Sequence, residues 1–199
     1  MVKRIWILGI CIAALVCVGA ATADLPSNYV YWSADRPLAW SDFWAAAPDW
    51  ALQSNWVASP HLVINWSAKF QAVRTGSTWT ASVTSLTVTN AVDSTQSWAI
   101  ASRTSPAALH HEQLHFDLHE VYRRLLEGTL RPMTAEGSSQ SVCQMLNDEL
   151  KSTSSAILLR AQNAQLQYDK DTSNGINLDA QASWEARIVS LLLNPSAAP

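Results

Sequence analysis

The chain has 199 residues, which is long enough for one domain with a substantial hydrophobic core. Its formal net charge is −3, so the composition predicts no nucleic-acid partner and no attraction to an anionic membrane. Ten tryptophans stand against three phenylalanines, and most of them precede Trp98. They fit either the core of a β-rich half or an aromatic binding surface, because Trp combines a large apolar area with one N–H donor.

The first residues predict a signal peptide, residues 1–23. Lys3 and Arg4 precede an apolar run at 5–18, and Ala21-Thr22-Ala23 forms a small-x-small cleavage site. The apolar run is shorter than the ~20 residues that a membrane span needs, so we expect no stable span after cleavage. Cleavage after Ala23 would leave residues 24–199 as a single domain, secreted or periplasmic.

Strand patterns dominate the chain as far as residue 100. Residues 29–32 predict a short strand, and the rest of 24–60 has no period and predicts irregular covering structure. Apolar and polar residues then alternate over 62–74 and 79–90, on both sides of a Thr-Gly-Ser break. This pattern predicts a hairpin of two long antiparallel strands, with a third short strand at 96–100.

The hydrophobic period changes to that of a helix after Pro106. We predict a first helix over 107–127, with Ser105 as its N-cap and Gly128 as its stop. A second helix is predicted over 139–169, with a bend or break in its polar second half. After a turn at Thr172-Ser173-Asn174-Gly175, a last helix is predicted over 178–193. The fold class is therefore α+β, an antiparallel β-rich N-terminal half packed on a helical C-terminal half.

The first helix contains a His-Glu-x-x-His pattern, formed by His111, Glu112 and His115. Residues four apart lie on one face of a helix, so both imidazoles can reach one Zn²⁺ at roughly 2.0–2.1 Å. Glu112 then stands beside the open metal position, where it can take a proton from the attacking water. The pattern predicts a zinc-dependent hydrolase with Glu112 as its general base.

Neighbouring residues are weaker candidates for the site. His119 lies about 12 Å along the helix axis from His111, so the two cannot share an ion. We interpret His119 and Glu120 as surface or outer-shell residues, and His110 as a core or edge histidine. Asp117 points to a different face from His111 and is expected to bond elsewhere in the scaffold.

A catalytic zinc usually has three protein ligands, so one is missing from the motif. The candidates from the second helix and the turn after it are Asp148, Glu149, Asp169, Asp171 and Asn174. Spacing does not choose among them. Tyr168 is a candidate hydrogen-bond donor to the oxyanion, with a structural role as the alternative.

Several segments together resemble the bacterial domain of unknown function 922, described as predicted secreted zinc-dependent proteases. The matching segments are Leu38-Ala39-Trp40-Ser41-Asp42-Phe43, Ser97-Trp98 and His111-Glu112-Gln113-Leu114-His115-Phe116-Asp117-Leu118. The later matching residues are Glu120, Arg123, Tyr168-Asp169-Lys170-Asp171-Thr172, Gly175, Gln181 and Trp184.

The resemblance implies a zincin-like active-site helix, a Zn²⁺ cofactor and a peptide or protein substrate. This chain has Asn174 where the family pattern has a histidine before the glycine. Either that change weakens zinc binding, or Asp169 is the ligand and the histidine is dispensable. We adopt His111, His115 and Asp169 as the predicted metal ligands.

The sequence is compatible with three interpretations. The first is a secreted zinc peptidase. The second is a catalytically degenerate, metal-containing envelope binding domain whose Trp-rich half recognises a polymer or partner. In the third, the histidine pattern is an accident of a buried helix.

Overall fold

A computed structural model describes residues 14–18 and 27–199 of the chain. The described part mixes antiparallel sheets with α-helices, as the sequence predicted, and has four helices where three were predicted. The strands are β1 Ala14–Val18, β2 Tyr29–Tyr31, β3 Ala58–Ser59, β4 Leu62–Thr75, β5 Thr78–Asp93, β6 Trp98–Ala99 and β7 Thr134–Gly137. The helices are α1 Asp49–Leu52, α2 Pro106–Leu130, α3 Val142–Thr172 and α4 Leu178–Leu193.

The main sheet is built on the predicted hairpin of β4 and β5. The two strands pair antiparallel along their whole length, with a register shift between Lys69 and Phe70. Gly76 forms the turn with φ +63, a backbone conformation that glycine adopts without strain. The strand order is β1-β4-β5-β2, and β7 pairs with the opposite end of β5 from β2. A separate two-stranded sheet is formed by β3 and β6. Ala58 and Ser59 of β3 line the cavity of the candidate site.

Helix α2 lies at the centre of the molecule, in contact with β5, α3 and α4. The Ser105 side chain accepts a hydrogen bond from Ala108 N at 3.1 Å, which confirms the predicted N-cap. Alternating residues of the hairpin pack against one face of each long helix and form the main hydrophobic core. Its largest fully buried side chains include Leu118, Tyr122, Leu126, Leu146, Leu150, Tyr168 and Ile188.

Two helix predictions were wrong. Gly128 does not end α2, because the chain gains from continuing to Leu130, which is fully buried, while Gly128 has open space around it. Helix α3 does not break in its polar half, because Ile157, Ala161 and Tyr168 keep one face buried at helical spacing.

The segment before the hairpin contains the predicted short strand, as β2, and is otherwise more regular than predicted, since it also contains α1 and β3. The predicted third strand is shorter than expected, and β7 was not predicted at all because its four residues show no apolar alternation. The predicted signal peptide lies largely outside the described residues. Its described part, β1, pairs with Lys69–Val73 of β4. No helix in the described ranges has the length and apolarity needed to cross a membrane.

Candidate metal centre

His111 and His115 lie one turn apart on α2 and converge on a carboxylate of α3. Their Nε2 atoms are 3.2 Å apart. Asp169 Oδ1 lies 3.2 Å from Nε2 of His111 and 2.9 Å from Nε2 of His115. Both imidazoles are buried, and Asp169 is half-buried. Two helices that are far apart in sequence therefore bring three potential ligand atoms to one point.

The spacing of these three atoms fits a small divalent cation. Bonds of roughly 2.0–2.1 Å in tetrahedral geometry place neighbouring ligand atoms roughly 3.3 Å apart. The separations of 3.2 and 2.9 Å are close to that value, and all three ligand atoms lie within 4.8 Å of one another. Two imidazoles and one carboxylate are also ligand types that zinc accepts.

The other ring nitrogen of each histidine is hydrogen-bonded to a glutamine. His115 Nδ1 donates to Gln165 Oε1 at 2.6 Å, and His111 Nδ1 donates to Gln181 Oε1 at 3.2 Å. An amide oxygen can only accept, so these bonds place a proton on Nδ1 of each ring and turn the Nε2 atoms toward each other and toward Asp169. Metal-binding histidines are commonly oriented by an outer partner in this way.

The ring of His111 is also clamped between two neighbours. It stacks on Tyr168, with ring centroids 4.8 Å apart and an interplanar angle of 22°. Gly175 approaches it closely, and a Cβ at that glycine would lie 3.0 Å from His111 Cγ. Gly175 also has φ +83, so both space and backbone conformation favour glycine there.

Glu112 is buried beside the two histidines and lines the same cavity. The cavity has a volume of about 480 Å³ and contains His111, Glu112, His115 and Asp169 in its wall. Burial raises the pKa of the Glu112 carboxyl, although the charges of His115 and His111 act in the opposite direction. A carboxyl group therefore stands next to the three atoms of the cluster without being one of them.

The His-Asp contacts are strongly electrostatic. Burial alone would lower the pKa of His115, but its hydrogen bond to Asp169 and the charge of Glu112 raise it overall. Burial alone would raise the pKa of Asp169, but hydrogen bonds from His111 and His115 hold it well below its usual range. Asp169 is thus an ionised carboxylate, which is the form that binds a cation.

The opposite side of α2 is fastened to the segment before the hairpin. Asp117 Oδ1 accepts from Trp32 Nε1 at 2.7 Å and from Gln113 Nε2 at 2.8 Å. Gln113 Oε1 in turn accepts from Leu38 N at 2.7 Å. Asp117 therefore bonds within the scaffold, as expected, and Gln113 joins it in fixing the orientation of the helix.

The remaining candidates for the third ligand lie elsewhere or bond to other groups. Asp148 and Glu149 are exposed near the start of α3, about 30 Å along the helix axis from Asp169. Asp171 accepts from Trp184 Nε1 at 3.0 Å and from Gln167. Asn174 lines the cavity, and its backbone N–H donates to Asp169 O at 2.9 Å.

His119 and Glu120 were expected at the surface or in the outer shell of the site, and the surface alternative is wrong for Glu120, which is buried, while His119 is half-buried. Burial lowers the pKa of His119 to about 4, with the charge of His115 as a second cause, and its Nδ1 contacts Asn90 Oδ1 at 2.9 Å. Glu120 is buried and paired with Arg123 and Arg124. Both residues belong to the polar interior on the β5 side of α2.

The polar groups of His110 and Tyr168 contact other residues of the protein and are not part of the cluster. His110 lies at the exposed edge of α2, with Nε2 3.2 Å from a carboxylate oxygen of Glu185. Tyr168 is fully buried, and its hydroxyl donates to His111 O at 3.4 Å and to Gln181 Oε1 at 3.5 Å. Its hydroxyl is therefore occupied in supporting the site.

A protein-family model matches most of the chain, including the segments that form this cluster. The model described as "Bacterial protein of unknown function (DUF922)" matches residues 41–175. The chain belongs to the DUF922 family. The DUF922 match contains all three residues of the cluster and Glu112. No curated protein and no solved structure gives a significant match to the chain.

Gln165 is the site residue that the sequence analysis missed. It lies four residues before Asp169, so the two share one face of α3, and that spacing is the signal that could have identified it. Gln181 was noted as part of the DUF922 resemblance without a role. The structure gives it one, as the hydrogen-bond partner of His111.

Proposed function

We propose that this DUF922 protein is a secreted zinc-dependent peptidase, with α2 as a zincin-like active-site helix. The observation that carries the proposal is the convergence of His111 Nε2, His115 Nε2 and Asp169 Oδ1 at metal-ligand spacing. These three residues would hold Zn²⁺ and leave a fourth position open toward the cavity. Secretion rests on the predicted signal peptide.

A Zn²⁺ bound there would polarise a substrate carbonyl and lower the pKa of water. The residues of the chain do the rest. Glu112 lines the cavity next to His111, so its carboxylate takes the proton of the water that attacks the peptide carbonyl. The same proton then passes from Glu112 to the leaving amine as the C–N bond breaks. Gln165 and Gln181 keep both imidazoles in orientation throughout.

The substitution Glu112→Gln separates metal binding from hydrolysis. The change keeps the size of the side chain but removes the base, so we expect one Zn²⁺ per chain and a loss of hydrolysis of roughly 10²- to 10⁴-fold. Zinc content is measured by elemental analysis, and hydrolysis on a mixed peptide pool by mass spectrometry. The matched control is Glu149→Gln, an exposed carboxylate of α3, which should change neither quantity.

Three outcomes distinguish the candidate functions. Zinc binding that is lost in Asp169→Ala, together with hydrolysis that is lost in Glu112→Gln, supports the peptidase. Zinc binding by the wild-type protein without hydrolysis of any peptide rejects the peptidase and favours a metal-containing binding domain. Absence of bound zinc rejects both and leaves the histidine pattern as an accident of packing.

A further inference from the structure

The cavity beside the His-His-Asp cluster has a wall of apolar side chains. This apolar wall consists of Trp56, Val57, Pro60, Leu62, Ala108 and Ile176. Trp56 is 42% exposed and Ile176 is 78% exposed, so both remain open to solvent at the cavity. Apolar surface placed next to a catalytic cluster offers binding energy to an apolar part of a substrate.

Trp56 is exposed and yet firmly held. Its ring contacts those of Trp50 and Trp98, with centroids 5.9 and 6.4 Å away. The Arg103 guanidinium donates hydrogen bonds to Ser54 O and Trp56 O, both at 2.8 Å. A side chain fixed in this way loses little conformational freedom when a ligand binds, which is the property of a preformed recognition surface.

The electrostatics of the cavity are equally specific. Among the described residues that line it, the titratable ones are His111, Glu112, His115 and Asp169, and all four belong to the proposed catalytic cluster. No lysine or arginine in this lining is placed to bind a terminal carboxylate, and no further carboxylate is placed to bind a terminal amine. The cavity therefore suits a segment of polypeptide without a charged end.

A second cavity extends the same surface. It also has a volume of about 480 Å³, and it shares Leu62 and Gln165 with the first cavity. Its apolar lining includes Ile64, Leu158 and Leu166, so apolar surface is also present beyond His115. Polar side chains line it as well, among them His61, His119 and Gln162. A polypeptide can therefore continue past the cluster instead of ending at it.

We propose that this site acts on uncharged internal stretches of polypeptide that carry a large apolar side chain beside the scissile bond. Trp56 and Ile176 hold that side chain, and Trp56 is the main specificity-determining residue. The inference rests on the proposed peptidase function, which it deepens by naming the substrate class.

The test uses alanine pentapeptides whose central residue is phenylalanine, leucine, alanine, aspartate or lysine. Each is made in two forms, one acetylated and amidated and one with free ends. Binding is measured by calorimetry on the zinc-loaded Glu112→Gln protein, and cleavage by mass spectrometry on the wild-type protein. We expect the phenylalanine and leucine peptides to be preferred over the alanine peptide by roughly 10- to 100-fold, the factor for burying one large apolar side chain. The aspartate and lysine peptides should be the weakest, and free peptide ends should give no advantage.

Trp56→Ala should remove most of this preference and leave zinc content unchanged. Trp44→Ala is the matched control, because Trp44 is 60% exposed and does not line the cavity. The inference would be overturned if apolar and charged peptides were used equally, or if a free end were required. It would also be overturned if no peptide bound, or if Trp56→Ala left the preference unchanged. Binding that depends on Trp56 without any cleavage would sustain this specificity and reject the peptidase. Cleavage without any preference among the peptides would support the peptidase and reject this specificity.

Discussion

At the scale of single residues, the site depends on two glutamines that carry no charge. Gln165 and Gln181 accept from the Nδ1 atoms of His115 and His111, and this fixes which nitrogen of each ring faces the cavity. Gln165 is bound twice, since its Nε2 also donates to His115 O at 2.9 Å. A neutral amide that is held at both ends orients the imidazole and adds no charge to the cluster.

Gln165→Ala should weaken Zn²⁺ binding by roughly 10- to 100-fold, because His115 loses the partner that orients its ring. Affinity is measured by competition with a chromophoric chelator. Gln162→Ala is the control, since Gln162 is an exposed glutamine on the same helix. Equal zinc affinities in the two variants would show that Gln165 does not orient His115.

At the scale of elements, two long helices and one tight turn set the geometry. Helix α2 presents the histidine pair, and α3 must run unbroken to Thr172 to bring Asp169 opposite that pair. The turn that follows folds Gly175 onto the ring of His111, with Ser173 and Asn174 also at positive φ. The end of α3 therefore supplies Asp169 to the His-His-Asp cluster and, a few residues later, the glycine that supports His111.

Gly175→Ala tests this support. A Cβ there meets His111 Cγ at 3.0 Å, so the ring must move and zinc affinity should fall by at least tenfold. Gly76→Ala is the matched control, because Gly76 also has positive φ but open space around it. Both variants should lose about 1–2 kcal/mol of unfolding free energy from the strained backbone. Chelator competition and urea denaturation measure the two effects, and an equal loss of zinc affinity in both variants would contradict the contact.

At the scale of the whole molecule, the cavity is assembled from parts that are distant in sequence. Residues 54–60, which form a segment that carries Trp56, contribute one side of it. Helix α2 and the end of α3 contribute the others. The backbone N–H of Asp93 donates to His61 O at 2.9 Å, just after residues 54–60, and the Asp93 side chain accepts from Asn28, Thr95 and Gln96. Ser97 extends this network to the hairpin, donating to Asp93 O and accepting from His61 N.

The Asp93 network predicts a pH-dependent stability. Burial alone would raise the pKa of Asp93, but hydrogen bonds from Thr95, Gln96 and Asn28 lower it to about 2. The folded pKa lies below the unfolded value of about 3.9, so this contribution is present above pH ~4 and is lost as the pH falls toward 2. Asp93→Asn should therefore cost about 1–2 kcal/mol at neutral pH and progressively less below pH ~4.

Urea denaturation between pH 7 and pH 2.5 measures the difference in unfolding free energy between the wild type and Asp93→Asn. The exposed Asp35 provides the control, since Asp35→Asn removes a carboxylate that lacks this network. A difference that stays constant over the whole pH range would show that the charge of Asp93 contributes nothing to stability.

The sequence by itself determined the features that depend on local spacing. Alternation defined the β4–β5 hairpin. Helical periodicity with a Ser105 cap placed His111 and His115 one turn apart on the same face of α2, with Glu112 next to them. These patterns are written within a few consecutive residues, because backbone geometry alone sets periods of 2.0 and 3.6. They were sufficient to suggest a metal centre and its general base.

Only the tertiary structure decided which carboxylate joins the histidines. Asp169 meets His115 across 54 residues of sequence, and neither spacing nor composition distinguishes it from Asp148 or Asp171. The uninterrupted course of α3, the glutamine partners and the exposed Trp56 of the cavity wall are likewise consequences of packing. Contacts between distant segments depend on how the helices dock against each other and against the sheet, and no local period encodes that docking.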